Sequence, residues 1–224
     1  MVDRQQHWET VYSSKATDRV SWFQQHAASS LRLIQGCAAK DARIIDVGGG
    51  ASVLVDGLLD AGYRHVTVLD LAESALATSR ARLGARAQSV QWIAADITRA
   101  ELPAAHFDVW HDRAVFHFLT DAADRARYVA QVLKSVKPGG HVIVAAFGPG
   151  GPLQCSGLDV MRYAPDALHA EFGAPFHLLG HETETHRTPA AIATCAAEIL
   201  AALLRHGART ATPYEGIPEL LDRL

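Results

Sequence analysis

The chain has 224 residues, of which 49% are hydrophobic and 20% are charged; these values suit one α/β domain and exclude wholesale disorder. Its 21 Lys and Arg against 24 Asp and Glu give a formal net charge of −3. There is no basic run, so nucleic acid is not an expected partner. The three cysteines, Cys37, Cys155 and Cys195, are widely separated, which argues against a disulfide scaffold or a zinc knuckle and indicates a reducing cytoplasm.

The sequence offers no signal peptide and no membrane span. The residues that follow Met1 are polar, without the apolar stretch that a secretory signal requires. The longest apolar run, Ala190 to Leu204, contains Glu198 and is shorter than the ~20 residues that cross a bilayer. We therefore expect a cytoplasmic protein without a membrane segment.

Strand and helix patterns alternate along the chain after two helical stretches, Gln5–Tyr12 and Ala27–Cys37. The predicted strands cover residues 43–47, 65–70, 90–93, 107–111, 141–147 and 176–184, and the predicted helices between them cover residues 53–60, 73–83, 124–136 and 165–172. Such an alternation implies right-handed crossovers. The predicted fold is therefore α/β, a Rossmann-like, mostly parallel twisted sheet with helices on both faces.

No repeat or low-complexity linker divides the chain, so residues 1–224 are predicted to form one domain. It would consist of an N-terminal helical cap (1–40), a core (41–147), a lid with the sixth strand (148–189) and a C-terminal extension (190–224). The extension is rich in alanine and leucine, which predicts a helix over Ala190–Arg205 in place of a last strand, and a short helix over Pro218–Leu224. The sixth strand would then be an exposed edge, to be covered by the new helix or by a second copy in a homo-oligomer.

The first strand ends in a glycine loop, Asp46-Val47-Gly48-Gly49-Gly50-Ala51-Ser52-Val53. Glycines at 48 and 50 permit a tight turn and a close approach of the backbone to a ligand. Val53 occupies the place of the third glycine in the dinucleotide pattern, which argues against a nicotinamide cofactor. Asp46 would repel a pyrophosphate but attract a cation, and S-adenosylmethionine carries an ammonium and a sulfonium group without phosphate.

Acidic residues also follow the second and third strands. Asp70, followed by Leu71, is placed to accept hydrogen bonds from both ribose hydroxyls of an adenosine. Asp96 can take the adenine amino group, with Ile97 against the ring face. Each acid alone is often a helix cap, but three of them beyond successive strands, with a glycine loop after the first, form a stronger pattern.

These motifs, together with Lys137-Pro138-Gly139-Gly140, resemble those of class I S-adenosylmethionine-dependent methyltransferases over roughly residues 40–147. The resemblance implies that Asp46, Gly48, Gly49 and Gly50 line the methionine moiety and that the acids of the next two strands hold the nucleoside. Ser52 stands where the family often has glycine, which is a minor departure because a small residue is tolerated there.

The N-terminal aromatics, Trp8, Tyr12 and Trp22, are similar to those of a branch that contains small bacterial methyltransferases and eukaryotic protein-lysine methyltransferases. In that branch such residues help to close the cofactor site, which implies a cofactor contact for Trp22 and a substrate-side position for Tyr12. The alternative is that these aromatics only attach the N-terminal helices to the sheet.

The segment after the fourth strand supplies candidate catalytic residues. Methyl transfer is an in-line displacement, in which an enzyme positions the reactants and removes a proton from a weakly acidic acceptor. His111 is a candidate general base and cofactor contact, with Asp112 orienting it. Alternatively, His111 offers only its backbone and Asp112 caps the next helix. His111 and His117 do not share a helical face, so a metal site is not expected.

The glycine- and proline-rich segment that begins at Gly148 is a candidate substrate lid. It places Cys155, Arg162 and Tyr163 as candidate substrate contacts, although an ordinary surface loop would have the same composition. The function predicted from the sequence is methyl transfer from S-adenosylmethionine to a small-molecule acceptor. The alternatives are a protein-lysine methyltransferase and a module that binds S-adenosylmethionine without chemistry, with a nicotinamide oxidoreductase as a distant fourth.

Overall fold

The structure is a computed structural model, and it describes residues 3–14, 24–187 and 196–207. None of the helices within these ranges is both long and apolar enough to cross a membrane. The predicted short helix over Pro218–Leu224 and the predicted cofactor contact Trp22 lie outside the described residues.

The elements follow the predicted order in the core of the chain. The helices are α1 (Arg4–Ser14), α2 (Ala28–Cys37), α3 (Leu54–Asp60), α4 (Glu73–Leu83), α5 (Ala122–Ser135) and α6 (Pro165–Phe172). The strands are β1 (Arg43–Val47), β2 (His65–Asp70), β3 (Val90–Ala94), β4 (Phe107–Arg113), β5 (Val136–Phe147), β6 (Gln154–Cys155), β7 (Leu158–Asp159), β8 (Phe176–Arg187) and β9 (Ala196–His206).

Seven strands form one sheet in the order β3-β2-β1-β4-β5-β9-β8, and β6 and β7 form a separate hairpin. Strands β1 to β5 pair with one another in parallel, whereas β9 is antiparallel to both β5 and β8. The carboxyl ends of β1 to β5 therefore meet at one edge of the sheet, and the strand order reverses between β1 and β4. Ligands of open α/β sheets bind at such a reversal.

Alternate residues of the central strands face two separate apolar cores. Ile45, Val47 and Trp110 belong to one core, and Ile44, Val109 and Ile143 belong to the other. This alternation follows from the two-residue period of a strand. Because both faces are covered, the central strands direct apolar residues to both sides of the sheet, as is usual for parallel sheets.

The prediction of a helical C-terminus is wrong, because Ala196–His206 forms strand β9. This strand lies between β5 and β8, and its residues Ile199 to Leu204 are all buried. A strand that is buried on both faces is a continuous apolar run, which periodicity does not distinguish from a buried helix. The high helix propensity of alanine and leucine is overridden here by the pairing that β5 and β8 offer.

The position of β9 changes which strand edge is paired, but β8 is still the last strand of the sheet among the described residues, and a homo-oligomer through this edge stays a prediction. The sixth strand of the prediction, β8, pairs with β9 from Phe176 to Arg187, so its inner edge is not exposed. A second difference is at the start of β5, which includes Val136–Gly140, whereas α5 already ends at Ser135.

Candidate functional site

A cavity of about 290 Å³ opens at the carboxyl ends of the parallel strands. Its walls come from the loops after β1 to β5, from α1 and from the segment around β6. Its lining includes Arg4, Trp8, Tyr12, Gly48, Asp70, Leu71, Asp96, Ile97, Arg113, Val115, His117, Phe118, Phe147 and Cys155. The structure therefore brings together five of the ten predicted cofactor contacts, Gly48, Asp70, Leu71, Asp96 and Ile97, with several residues that were not predicted.

The glycine loop after β1 is packed too closely for side chains. Gly48 has a φ of +71°, its amide donates to Leu69 O at 2.7 Å, and a Cβ at this position would overlap with Cγ2 of Val115. A Cβ at Gly50 would lie 2.5 Å from Oδ2 of Asp70. These contacts explain why the loop needs glycine at both positions, and they let the backbone approach a ligand.

Asp70, at the end of β2, is a buried acid whose carboxylate lines the cavity. Its Oδ1 accepts a hydrogen bond from Ala72 N at 2.8 Å. Burial raises the pKa of Asp70 to about 7, against the lowering effect of the Ala72 amide, and the negative charges of Asp46 and Glu9 raise it further. The pKa of Asp70 is therefore sensitive to any ligand that donates hydrogen bonds to its carboxylate.

The predicted adenine contacts lie along the same side of the cavity. Asp96 follows β3, and its Oδ1 accepts hydrogen bonds from the backbone amide and the hydroxyl of Thr98, both at 2.8 Å. Ile97 and Leu71 line the cavity beside it. Cofactor contacts at Asp70, Leu71, Asp96 and Ile97 remain predictions that this arrangement permits.

Asp46 and His111 lie side by side on β1 and β4, where they are partners in the parallel register. The Nδ1 of His111 is 2.7 Å from Oδ1 of Asp46, and its Nε2 is 2.9 Å from the hydroxyl of Ser30 on α2. All three side chains are buried, and they line a second cavity of about 60 Å³ that shares Gly48, Tyr12 and Arg113 with the first. Both nitrogens of His111 thus have protein partners, which leaves neither free to take a proton from a substrate.

Asp112 does not orient His111, because consecutive residues of a strand point to opposite faces. Its carboxylate is fully buried on the other side of β4, where it accepts hydrogen bonds from Val115 N at 2.8 Å, Phe116 N at 3.1 Å and the hydroxyl of Tyr128 at 2.6 Å. Burial raises its pKa to about 6. The alternative prediction was that Asp112 caps the next helix; the structure shows that its carboxylate holds the amides of the turn that follows β4, and the carboxylate that holds His111 is that of Asp46.

Two of the predicted substrate contacts have structural roles away from the cavity. Arg162 donates from Nη1 to the carbonyl oxygens of Pro149 at 3.0 Å and Gly151 at 3.2 Å, which fixes the start of the lid segment. Tyr163 is buried in the apolar core, with its ring 5.6 Å from that of Phe116. Neither residue is among the described residues that line the cavity, so both predictions are corrected.

The lid segment does reach the cavity through the β6–β7 hairpin. Ser156 and Gly157 form its turn with φ values of +53° and +77°, a combination typical of a two-residue type I′ turn. This tight turn places Gln154, Cys155 and Ser156 against the cavity. Cys155 thus lines the cavity, and its contact with a substrate stays a prediction.

Helix α1 covers the opposite rim, where it adds Arg4 to the aromatic residues that the sequence indicated. Arg4, Trp8 and Tyr12 are spaced four apart, share one face of the helix and line the cavity. Arg4 also pairs with Asp124 at 2.8 Å, and the ring of Trp8 lies 5.1 Å from that of Phe118. Arg4 was missed, and the four-residue spacing from Trp8 and Tyr12 was the signal that could have found it.

Glu9 also attaches α1 to the core. Its carboxylate accepts hydrogen bonds from the amides of Glu73 at 2.7 Å and Ser74 at 3.3 Å, at the start of α4. Replacing Glu9 by alanine should lower the free energy of unfolding by about 1 kcal/mol, as loss of a helix cap does. Urea titration measures this loss, and Glu9→Gln, which keeps one acceptor oxygen, should lose less. Equal stability of Glu9→Ala and the unchanged protein would contradict this role.

The end of β4 carries two further residues that were missed. Arg113 lines both cavities, and its Nη2 is 2.6 Å from Oε1 of Glu184 on β8. Ala114 follows with a φ of +78° and donates from its amide to Ala145 O at 2.9 Å. This left-handed residue turns the chain so that the following segment, through Phe118, borders the cavity. Only the tertiary structure reveals these contacts, since Glu184 is far away in the sequence.

Comparison with known proteins agrees with this geometry. Residues 44–140 match a family model described as a methyltransferase domain. The eEF1A lysine and N-terminal methyltransferase of Mus musculus is 24% identical over 143 residues, which cover 61% of this chain and 20% of that protein. The ubiquinone/menaquinone biosynthesis C-methyltransferase UbiE of Methylobacterium nodulans is 30% identical over 108 residues, which cover 47% of this chain and 42% of that protein. The chain thus spans less than half the length of either relative.

A solved structure shares the fold over most of the chain. The crystal structure of Burkholderia thailandensis 1,6-didemethyltoxoflavin-N1-methyltransferase, with bound 1,6-didemethyltoxoflavin and S-adenosylhomocysteine, has a TM-score of 0.63 and 19% identity, and the match covers 91% of this chain and 84% of that chain. At this identity the match shows a common fold.

Proposed function

We propose that this chain, whose residues 44–140 match a model described as a methyltransferase domain, is a class I S-adenosylmethionine-dependent methyltransferase that transfers the methyl group of its cofactor to a small-molecule acceptor. The observation that carries the proposal is the cavity at the carboxyl ends of the parallel strands. The glycine loop, Asp70 and Asp96 line one half of it, and aromatic side chains line the other.

The residues present fit the cofactor. Asp70 is a buried carboxylate whose Oδ1 is held by a backbone amide and whose surroundings disfavour its charge, and hydroxyl donors from a ribose would stabilise that charge. The loop at Gly48 and Gly50 leaves no space for a Cβ, so its backbone can lie against a ligand. Asp46 lines the smaller adjoining cavity, where its charge favours an ammonium group.

The cofactor supplies a methyl group on a positively charged sulfur. The chain positions the reactants and excludes water from them. Helix α1 closes one side of the cavity with Trp8 and Tyr12, and the β6–β7 hairpin closes the other with Cys155. Holding two reactants in line accelerates a displacement by itself. Since both nitrogens of His111 already have partners, we do not assign proton removal to this residue.

A small acceptor is favoured because the cavity is bordered by structure on both sides. Trp8 on α1 and Cys155 on the hairpin line it from opposite elements, which leaves a concave site of the kind that buries a small ligand. The second candidate is a protein-lysine methyltransferase, and the observation in its favour is the 24% identity to the murine enzyme that modifies eEF1A.

Labelled S-adenosylmethionine separates these candidates. The protein is incubated with the labelled cofactor and cell extract, and the label is then sorted between protein and metabolite fractions. Label among metabolites supports the proposal, and label on protein supports the lysine methyltransferase. If neither fraction is labelled although calorimetry shows S-adenosylhomocysteine binding, the chain is a binding module without chemistry. Tight binding of NAD in place of S-adenosylhomocysteine would refute the proposal.

The pKa of Asp70 predicts how cofactor affinity depends on pH. The group must be ionised to accept two hydroxyl hydrogen bonds, whereas its pKa of about 7 leaves it protonated in more acidic solution. Affinity for S-adenosylhomocysteine should therefore be highest above pH 7 and fall by up to about tenfold for each pH unit below it.

Calorimetry from mildly acidic to mildly basic pH measures this dependence. The matched control is Asp70→Asn, which keeps the shape of the side chain but has no proton to lose, so its weaker affinity should be independent of pH. If the variant retained the same pH dependence, the ribose assignment of Asp70 would be contradicted.

A further inference from the structure

His117 is a buried histidine that the cofactor contacts described above do not use. It lies in the turn after β4, its side chain lines the cavity, and it is 1% exposed. Neither Nδ1 nor Nε2 has a hydrogen-bond partner among the described residues. Almost all buried polar groups in proteins are hydrogen-bonded, so two unpartnered nitrogens on a residue that borders the cavity point to a ligand that supplies the partner when the ring turns toward it.

His117 lies in the half of the cavity that would hold the methyl acceptor. Its ring stacks on that of Phe147 at the end of β5, with 4.5 Å between centroids and 14° between planes. In the sheet, β4 and β5 lie on one side of β1, and β2 and β3, which carry Asp70 and Asp96, lie on the other. A nucleoside held by those acids would therefore leave the His117 side of the cavity to the second reactant.

His117 is neutral at the pH of normal solutions. Burial and the nearby charge of Arg113 lower its pKa to about 3. A neutral imidazole has one N–H donor and one acceptor nitrogen. It can therefore hydrogen-bond a hydroxyl or an N–H group, but it does not provide a cation for a carboxylate or a phosphate.

The other lining residues narrow the chemical class further. The two arginines at the cavity are already paired, Arg4 with Asp124 at 2.8 Å and Arg113 with Glu184 at 2.6 Å. The remaining wall near His117 is aromatic, since Phe118 lies 4.4 Å from the imidazole and Trp8 packs on Phe118. This environment suits a flat, uncharged molecule with few polar groups.

We propose that His117 selects the methyl acceptor by hydrogen-bonding a hydroxyl or N–H group of an uncharged aromatic molecule stacked in this half of the cavity. The inference rests on the proposed function and deepens it by naming the substrate class and the residue that recognises it. A site built to hydrogen-bond a polar group discriminates against analogues that lack this group, because its own buried atoms then stay unpartnered.

The test uses phenol, toluene and benzoate as probes of the protein loaded with S-adenosylhomocysteine. Phenol should bind about fivefold or more tightly than toluene, since one neutral hydrogen bond is worth about 1 kcal/mol, and benzoate should bind more weakly than phenol. His117→Phe keeps an aromatic ring against Phe147 but has no hydrogen-bonding atom, so it should bind phenol and toluene equally. His117→Gln should retain part of the preference for phenol, and His141→Phe, a histidine on β5 outside the cavity lining, should retain all of it.

A second measurement does not depend on the folding of any variant. In the unchanged protein, phenol should shift the ring-nitrogen NMR signals of His117, and toluene should not. Absence of this shift, equal binding of phenol and toluene, or an unchanged preference in a folded His117→Phe variant would each overturn the proposal. Failure of the protein to bind S-adenosylhomocysteine would count against the proposed function instead, and the phenol comparison on the free protein would still decide the role of His117.

Discussion

Replacing Asp112 by alanine is expected to lower the free energy of unfolding by about 3–5 kcal/mol, because it leaves several hydrogen-bond donors without their acceptor. The carboxylate is fully buried and accepts hydrogen bonds from two backbone amides and from the hydroxyl of Tyr128. Tyr128 in turn accepts a hydrogen bond from the indole of Trp110 at 2.9 Å. Without Asp112, three buried donors lose their acceptor, at about 1–3 kcal/mol each in an isolated case.

Urea unfolding of matched variants distinguishes this role from a catalytic one. Asp112→Asn keeps one acceptor oxygen and should be less destabilised than Asp112→Ala, and Tyr128→Phe removes only one of the three donors and should lose least. An Asp112→Ala variant of unchanged stability would show that the carboxylate is dispensable for the turn after β4. Asp112 would then again be a candidate catalytic residue.

Replacing Gly48 by alanine is expected to weaken the binding of S-adenosylhomocysteine by at least about tenfold and to destabilise the fold. The left-handed conformation at φ +71° costs a residue with a side chain about 1–2 kcal/mol. In addition, the new Cβ would overlap with Cγ2 of Val115. Since Val115 lines the cavity, its displacement would change the surface on which the cofactor is proposed to lie.

Gly62 provides the matched control for this substitution. It has a φ of +88° but no atom within 4 Å of the position of a Cβ, so Gly62→Ala carries the conformational cost without the overlap. It should lose stability and keep its affinity for S-adenosylhomocysteine. Val115→Ala in the Gly48→Ala background should restore part of the affinity. Equal effects of the two glycine substitutions on affinity would contradict the importance of close packing between Gly48 and Val115.

Sequence patterns failed where pairing partners decide the structure. The run from Ile199 to Leu204 is apolar at every position, so it has neither the period of a half-buried strand nor that of an amphipathic helix, and alanine-rich composition favoured the wrong alternative. The strand forms because β5 and β8 offer unpaired backbone groups on both sides.

Some contacts of the site residues likewise depend on tertiary structure, whereas one could have been judged from the sequence. The pairing of Asp46 with His111 depends on the register between β1 and β4, and the hydroxyl that completes it comes from Ser30 on α2. The assignment of Asp112 to His111, in contrast, could have been excluded from the sequence, because neighbours on a predicted strand face opposite sides of the sheet.

From the sequence alone one obtains the Rossmann-like order of elements, the glycine loop and the acids at the ends of β1, β2 and β3, because each of these depends on a strand and the turn that directly follows it. Only the tertiary structure decided that Ala196–His206 is a strand, that His111 is enclosed by Asp46 and Ser30, and that the ring nitrogens of His117, a residue that borders the cavity, have no partner in the part of the chain that the structure describes. These features are set by register, by the packing of distant segments and by exclusion of water, and no local pattern of residues encodes them.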